Sequence, residues 1–307
     1  TAKSNKYKWT KFVEFHNAHK LQLVPPKYQN IARFLTHYST TVTSFQTVMN
    51  MLSSIKTFYS LIGYNINVQH PVIDLYVKAS RRTMSTQSHP KSPIQPAHLV
   101  LLPSVLTASS PLHAAFYAAI LVQFFTCLRK SNLLPASRYA LKSHMHLKRS
   151  DIIFTQDAMI LVLPWTKTLQ NKDNILTLAI AKIKGAVIDP VATYQKFVAE
   201  NPVPPNYPAF AYRQANQICI LTQQVYIDIL KQSLEKLGIP SASYSSHSIR
   251  RGATSLLFEQ GLEIDLIKLH GTWKSDAYTK YLTFNHAQRL KPSKIMYKHF
   301  NDNFGHL

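Results

Sequence analysis

The chain has 307 residues, 46% of them hydrophobic and 11% aromatic, with 35 Lys and Arg against 14 Asp and Glu, a formal net charge of +21. That apolar share excludes a disordered tail, and the length allows two domains with cores of their own. The excess charge is uneven: residues 1–150 hold 18 basic side chains against two acids, Glu14 and Asp74, a net +16, and no acid occurs from Leu75 to Ser150. A field of that sign attracts polyanions, of which nucleic acid is the commonest for a soluble basic protein.

Residues 1–80 read as helical. "KYKWTKFVEFHNA" places Trp9, Phe12, Val13 and Phe15 close to helical spacing, and "IARFLTHYS" repeats the pattern. "SFQTVMNMLSSIKTFYSLIGY" is a longer amphipathic run ending at Gly63, and "PVIDLYVKASRR" opens on Pro71 at a helix-starting position. Four or five such helices make a small bundle. The composition then changes. Residues 81–96, within "RRTMSTQSHPKSPIQPAH", lack apolar periodicity and are rich in Pro, Ser and basic residues, as expected of a linker between domains.

From 97 to 307 a second domain is expected, opening with helices up to Leu134. Its most apolar run, "LHAAFYAAILVQFFTCL", contains His113 and Gln123 and falls short of a bilayer span, so it predicts a buried helix and no membrane partner. "DIIFTQDAMILVLPWTKTLQNKDNILTLAI" reads as three strands joined by turns. Helices return from "DPVATYQKFVAE" onward, interrupted by the Pro-rich loop "NPVPPNYPAF". Two cysteines, Cys127 and Cys219, make neither a disulfide framework nor a metal set, which fits a reduced intracellular protein. No signal peptide is visible, and a start at Thr1 without methionine reads as a piece of something longer.

Four places in the second domain carry candidate chemistry. Arg129 follows directly on the apolar helix, where a guanidinium is costly to desolvate unless an anion or carboxylate meets it. Lys167 sits at the tip of the predicted hairpin, where an exposed turn lysine is the ordinary reading. In "SHSIRRGATS", His247 and Arg250 lie three apart and share a helix face, so both can address one phosphate. "LHGTWKSDAYTKYL" supplies Trp273, Tyr278 and Tyr281. Singly each is weak. Arg251 reads as a backbone-phosphate contact or a surface charge. His144 and His146 lie two apart with no carboxylate or cysteine near them, so "KSHMHLK" is read as a loop without a metal.

In this order, an arginine, a hairpin lysine, His-x-x-Arg, Gly-x-Trp and a tyrosine resemble the tyrosine recombinase (phage integrase) family. "LRKSNLLP" and "GTWKSDAYTKYL" are most similar to the eukaryotic branch found in DIRS-like and Ngaro-like retrotransposons and in crypton transposons. The resemblance implies a mainly α fold with a small three-stranded β-sheet. A helical core-binding domain (1–80) and a catalytic domain (97–307) would close on DNA as a C-shaped clamp. It implies catalytic roles for Arg129, Lys167, His247, Arg250, Trp273 and the nucleophile Tyr281, with no cofactor and no metal. Double-stranded DNA is the implied partner, with two or four copies assembled on it, and the nucleus the location if the host is eukaryotic. The tail past Tyr281 packs on its own domain or docks onto a neighbouring protomer.

Two positions depart from the family pattern. Asn132 stands where many members carry an acid that orients the first arginine, and Thr272 stands where a histidine is frequent. His270, Thr272 and Trp273 are the alternatives for that role, and Trp273 is favoured because its indole N–H can donate to a phosphate oxygen. Tyr278 is the rival nucleophile, three residues before Tyr281, in a place that the family usually fills with an aromatic core residue.

The chemistry suits these residue types. A phosphodiester attacked by a tyrosine oxygen gains negative charge on its non-bridging oxygens, and two arginine forks can hold that charge. Lys167 could protonate the leaving 5′ oxygen. His247 could take the proton of a tyrosine whose solution pKa is about 10. Two other readings remain at this stage: a type IB topoisomerase, which shares the arginine, lysine and tyrosine chemistry, and a domesticated DNA-binding protein that has lost the reaction.

Overall fold

The computed structural model describes residues 2–84, 91–139, 146–163, 176–273, 276–282 and 290. The chain divides into two compact units, Thr1–Pro90 and Lys91–Leu307.

The first unit is four helices, α1 (Ala2–Ala18), α2 (Tyr28–Thr40), α3 (Phe45–Leu61) and α4 (Pro71–Thr83). Their apolar stripes meet in one core around Phe12, Phe34, Met51, Ile55, Tyr59 and Ile73. Polar tips in this core find backbone partners, as buried groups must: the Tyr59 hydroxyl donates to the Leu23 carbonyl at 2.8 Å and the Trp9 indole to Ser54 at 2.7 Å. Gly63 ends α3 with a φ of 87°, a left-handed conformation that glycine adopts without strain. Pro71 opens α4, and His70 caps it by accepting from the Val72 N–H. This helix continues to Thr83, past the point where the composition turns linker-like, because Arg81 and Arg82 suit the negative end of its dipole.

The second unit is built around α6 (Pro111–Thr126), ten of whose sixteen residues are buried. It is the expected core helix, and no helix among the described residues is long and apolar enough to cross a membrane. Around it lie α5 (Pro96–Val105), the short α7 (Lys130–Leu133), α8 (Pro190–Glu200), α9 (Gln223–Lys236), α10 (Ser246–Glu259) and α11 (Ile264–His270). The small antiparallel sheet is also present, in order β1 (Ile152–Phe154), β2 (Ala158–Leu163), β3 (Leu176–Ala181). Alternate residues of β2, Met159, Leu161 and Leu163, are buried, while register pairs them with Ile180, Leu178 and Leu176. That alternation is the period-two signature of a strand with one face on a core.

A second hairpin, β4 (Ala211–Gln214) with β5 (Gln217–Ile220), falls where only helices and a loop are expected. Its two-residue turn runs through Ala215 at a φ of 50°. An Asn-Gly or Asp-Gly turn announces such a hairpin in sequence, and Ala215-Asn216 does not.

Residues 91–95, which the composition places in the linker, belong structurally to this second unit. The Ser92 N–H donates to the Ser243 carbonyl at 2.8 Å and the Ile94 N–H to Ser248 at 2.9 Å, so this segment lies across the start of α10. Gly252 makes the crossing possible, since a Cβ there would stand 1.8 Å from the Ile94 carbonyl oxygen. Both sides of that contact are backbone, which cannot swing away. Gly252→Ala is therefore expected to destabilise the protein by about 1–3 kcal/mol through overpacking, measured as a lower urea midpoint with an unchanged m-value.

Candidate active site

The site begins where α6 stops. Cys127 turns the chain with a left-handed φ of 51°, a conformation that costs an L-residue about 1–2 kcal/mol. Carbonyls at the end of a helix lack intrahelical donors and need other partners. Here three carbonyls around the turn receive side chains, two from other helices and one from α6 itself. Phe125 accepts from His270 Nε2 at 2.8 Å, Cys127 from Arg250 Nη1 at 2.5 Å, and Leu128 from Gln123 Nε2 at 3.0 Å. Arg129 follows at once as the N-cap residue of α7, and its own carbonyl accepts the Asn132 N–H at 2.9 Å.

Arg250 ties three segments together. It is 1% exposed, and besides Cys127 it donates through Nη2 to the Gly271 carbonyl at 2.5 Å. Its guanidinium lies 3.8 Å from the centroid of the Trp273 ring, a close cation–π contact. Two of its five N–H groups are used on these carbonyls. Trp273 needs the residue before that turn to be glycine, because a Cβ on Gly271 would stand 1.5 Å from the indole. Thr272, between them, takes a φ of 61°. The motif glycine and tryptophan thus form one packing unit beneath Arg250, and His270 is occupied at the end of α6.

α10 carries the His-x-x-Arg pair. Ser245 caps it, its hydroxyl accepting from the His247 N–H at 3.2 Å while the Ser245 N–H donates to the Ser248 hydroxyl at 2.9 Å. His247 is exposed in the first turn, where the helix dipole favours an anion, and Arg250 is buried one turn on. Arg251 Nη1 donates to the Lys91 carbonyl at 3.1 Å, which helps hold the crossing segment.

Arg129 is half-buried, and its Nη1 is sealed from water with no hydrogen-bond partner among the described residues. A guanidinium nitrogen left this way is costly unless an anion completes it. Asn132, three residues on, is 2% exposed.

The 3₁₀ turn Asp276–Tyr281 packs on α10. Tyr278 is 6% exposed, edge-on to Trp273 at 6.4 Å between ring centroids. Lys268 covers its ring at 5.2 Å and pairs with Asp276 at 2.9 Å. Tyr278 is therefore a core aromatic, and the backbone of Tyr281 closes the turn three residues later. Lys167 lies in 164–175, between β2 and β3 and outside the described residues, as does His144. His146 is buried, and burial, followed by the charge of Lys148, holds its pKa below the usual histidine value. No cluster of three or more His, Cys, Asp or Glu able to hold a metal occurs among the described residues.

The structure thus brings Arg129, Arg250 and Trp273 into one neighbourhood, with His247 one turn along α10. Sequence reasoning gave no supporting role to Gln123 or the Cys127 carbonyl, and it marked Gly271 and His270 only as the motif glycine and as an alternative for the histidine role. The signal available for Gln123 was a lone amide within an apolar run.

Neither a protein-family model nor a curated protein sequence matches the chain. Solved structures do resemble it. One is the XerH site-specific recombinase in a post-cleavage complex with its palindromic difH substrate, at a TM-score of 0.65 and 16% identity over 94% of this chain and 78% of that one. Another is the integrase of the Tn1549 transposon in complex with transposon right-end DNA, at 0.63 and 14% over 95% and 93%. A lambda integrase dimer bound to a COC′ core site gives 0.57 and 14% over 91% and 87%. At these identities the likeness defines the fold: mostly helical with a small three-stranded antiparallel sheet, the tyrosine-recombinase fold.

Burial pushes the Cys127 thiol up to about 11, against the opposing pull of Arg250. A thiol reagent at pH 8 is therefore expected to modify half-buried Cys219 in the native protein and to leave Cys127 unmodified, as read by peptide mass. Arg250→Ala removes two charge-assisted bonds, costs about 3 kcal/mol or more, and opens Cys127 to the same reagent.

Proposed function

We propose that the chain is a DNA strand transferase of the tyrosine recombinase type. The observation that carries this reading is the buried, unpartnered Nη1 of Arg129, two residues beyond the carbonyl that Arg250 holds. A guanidinium nitrogen shielded from water and left without a partner suits one oxygen of a diester phosphate. The likeness to DNA-bound recombinases and the basic excess of residues 1–150 support DNA as the partner.

In this reading Tyr281 attacks the scissile phosphorus, and its proton passes to His247 or to water. The new bond joins phosphorus to the tyrosine oxygen, and the bond to the 5′ oxygen breaks, with Lys167 supplying the proton to that leaving group. One phosphodiester is exchanged for another, so the bond energy is kept and the reverse attack by a 5′ hydroxyl reseals the strand. Arg129 meets the charge on the non-bridging oxygens directly. Arg250 adds its field while fixing the backbone around Arg129, and Trp273 supports the Arg250 plane from below. Asn132 contributes no charge to offset Arg129, which leaves the full positive charge available to the phosphate. Strand exchange would then use two or four copies on DNA. "LRKSNLLP" and "GTWKSDAYTKYL" support a mobile element's DNA as the cargo, and a nucleus as the compartment in a eukaryotic host.

The test is covalent trapping. The protein is mixed with nicked duplexes taken from the parent element's ends, denatured in detergent and run on a gel. A shifted band is expected for the wild type and for Tyr278→Phe, and none for Tyr281→Phe. Arg129→Ala is expected to lower adduct formation by roughly 100-fold or more, the usual loss for one transition-state charge donor. Tight DNA binding without an adduct on any cognate end would overturn the reading in favour of a binding protein.

A further inference from the structure

Gln123 and Tyr226 are both completely buried, in helices whose other inward side chains are almost all apolar. Their polar atoms bond to each other and to one further group. The Tyr226 hydroxyl donates to Gln123 Oε1 at 2.6 Å, and Gln123 Nε2 donates to the Leu128 carbonyl at 3.0 Å. The order of donors leaves one sensible orientation for the amide: turning it over would set the amide oxygen against the carbonyl oxygen of Leu128. Burial raises the Tyr226 pKa well above its ordinary value, so the phenol keeps its proton and remains a donor across the working pH range.

Such a pair is an expensive way to fill a core. A phenylalanine and a methionine would occupy similar space without desolvating a phenol and an amide. What the pair provides is a fixed position for the Leu128 carbonyl, and therefore for the Leu128–Arg129 peptide plane. Arg250 and His270 hold the Cys127 and Phe125 carbonyls with groups from α10 and α11. Among the described residues, the amide of Gln123 reaches the peptide bond that leads directly into Arg129.

We infer that the Tyr226–Gln123 pair is a positioning relay, which fixes the Leu128–Arg129 peptide plane and so aims the Arg129 guanidinium at the scissile phosphate. This rests on the role given to Arg129 under Proposed function. Neither residue touches DNA or the reacting atoms, and the relay acts only through Arg129.

The experiment compares wild type, Tyr226→Phe, and the double variant Tyr226→Phe with Gln123→Met. The single variant strands a buried amide oxygen and loses stability. The double variant removes both polar side chains and leaves the Leu128 carbonyl unheld instead, so it is expected to lose stability as well, by a similar amount. The rate of adduct formation on saturating nicked duplex is expected to fall roughly 10- to 100-fold in both variants, with DNA affinity unchanged. On a duplex with a neutral methylphosphonate at the scissile position, the loss is expected to shrink to about twofold, because there is less charge for Arg129 to meet. Equal rates in wild type and double variant overturn the relay. So does an equal loss on the two substrates, which would mean general damage. If the wild type forms no adduct, the proposed reaction falls, and amide hydrogen exchange of residues 127–134 decides about the relay. Faster exchange there in the double variant than in Tyr226→Phe supports it, and equal exchange in the two overturns it.

Discussion

The Arg250 guanidinium holds the end of α6 to the turn after α11. It donates to one carbonyl on each side and rests on an indole that only a glycine at 271 allows into place. A buried cation is costly in a protein interior, and its cost is met by charge-assisted bonds to carbonyl dipoles and by a π face. The arrangement also explains why lysine would be a poor substitute, since an ammonium has no planar fork to span two carbonyls and no flat face to stack on a ring. Removing either carbonyl, the ring or the glycine would disturb the other three.

Around this centre the second unit treats helix ends as sockets. A helix that stops inside a core leaves carbonyls that water cannot reach. The termination of α6 answers this with three donors from α10, α11 and its own interior, so that one backbone turn is held from three directions. The left-handed Cys127 is tolerated because these bonds more than offset its strain. Arg129 follows a turn held by three side-chain bonds, which suits a group that has to present charge in one direction. A shielded nitrogen on Arg129, with no carboxylate among the described residues paired to it, is the opposite of what a purely structural arginine requires.

Much of this architecture was visible in the sequence. Pro71, Gly63, the apolar run of α6 and the strand pattern after Asp151 are local signals, and the elements formed where they pointed. The candidate residues Arg129, His247, Arg250 and Trp273 were visible through motif spacing. What escaped notice depends on partners far away in the chain. Gln123 reads as a blemish in a hydrophobic helix until Tyr226 and Leu128 are placed beside it. Arg251 reads as a phosphate contact or a surface charge, and nothing near it in the chain announces its bond to the Lys91 carbonyl. The hairpin at 211–220 lacks the glycine that advertises such turns, and its burial against the core took precedence over weak local preference.

The segment at 91–95 has a consequence in time rather than in space. Its partners on and before α10 lie about 150 residues further along: Lys91 Nζ bonds the Ala242 carbonyl across 151 positions, and Arg251 returns to Lys91 across 160. A ribosome adding residues in order makes this strand of the unit early and its seat late. Until α10 has left the exit tunnel, Ile94 has no groove to enter and Arg250 has not arrived to close the end of α6. The unit therefore completes its fold only when Arg250 reaches the end of α6, and a nascent chain that stalls before Gly252 holds the first half of the unit open.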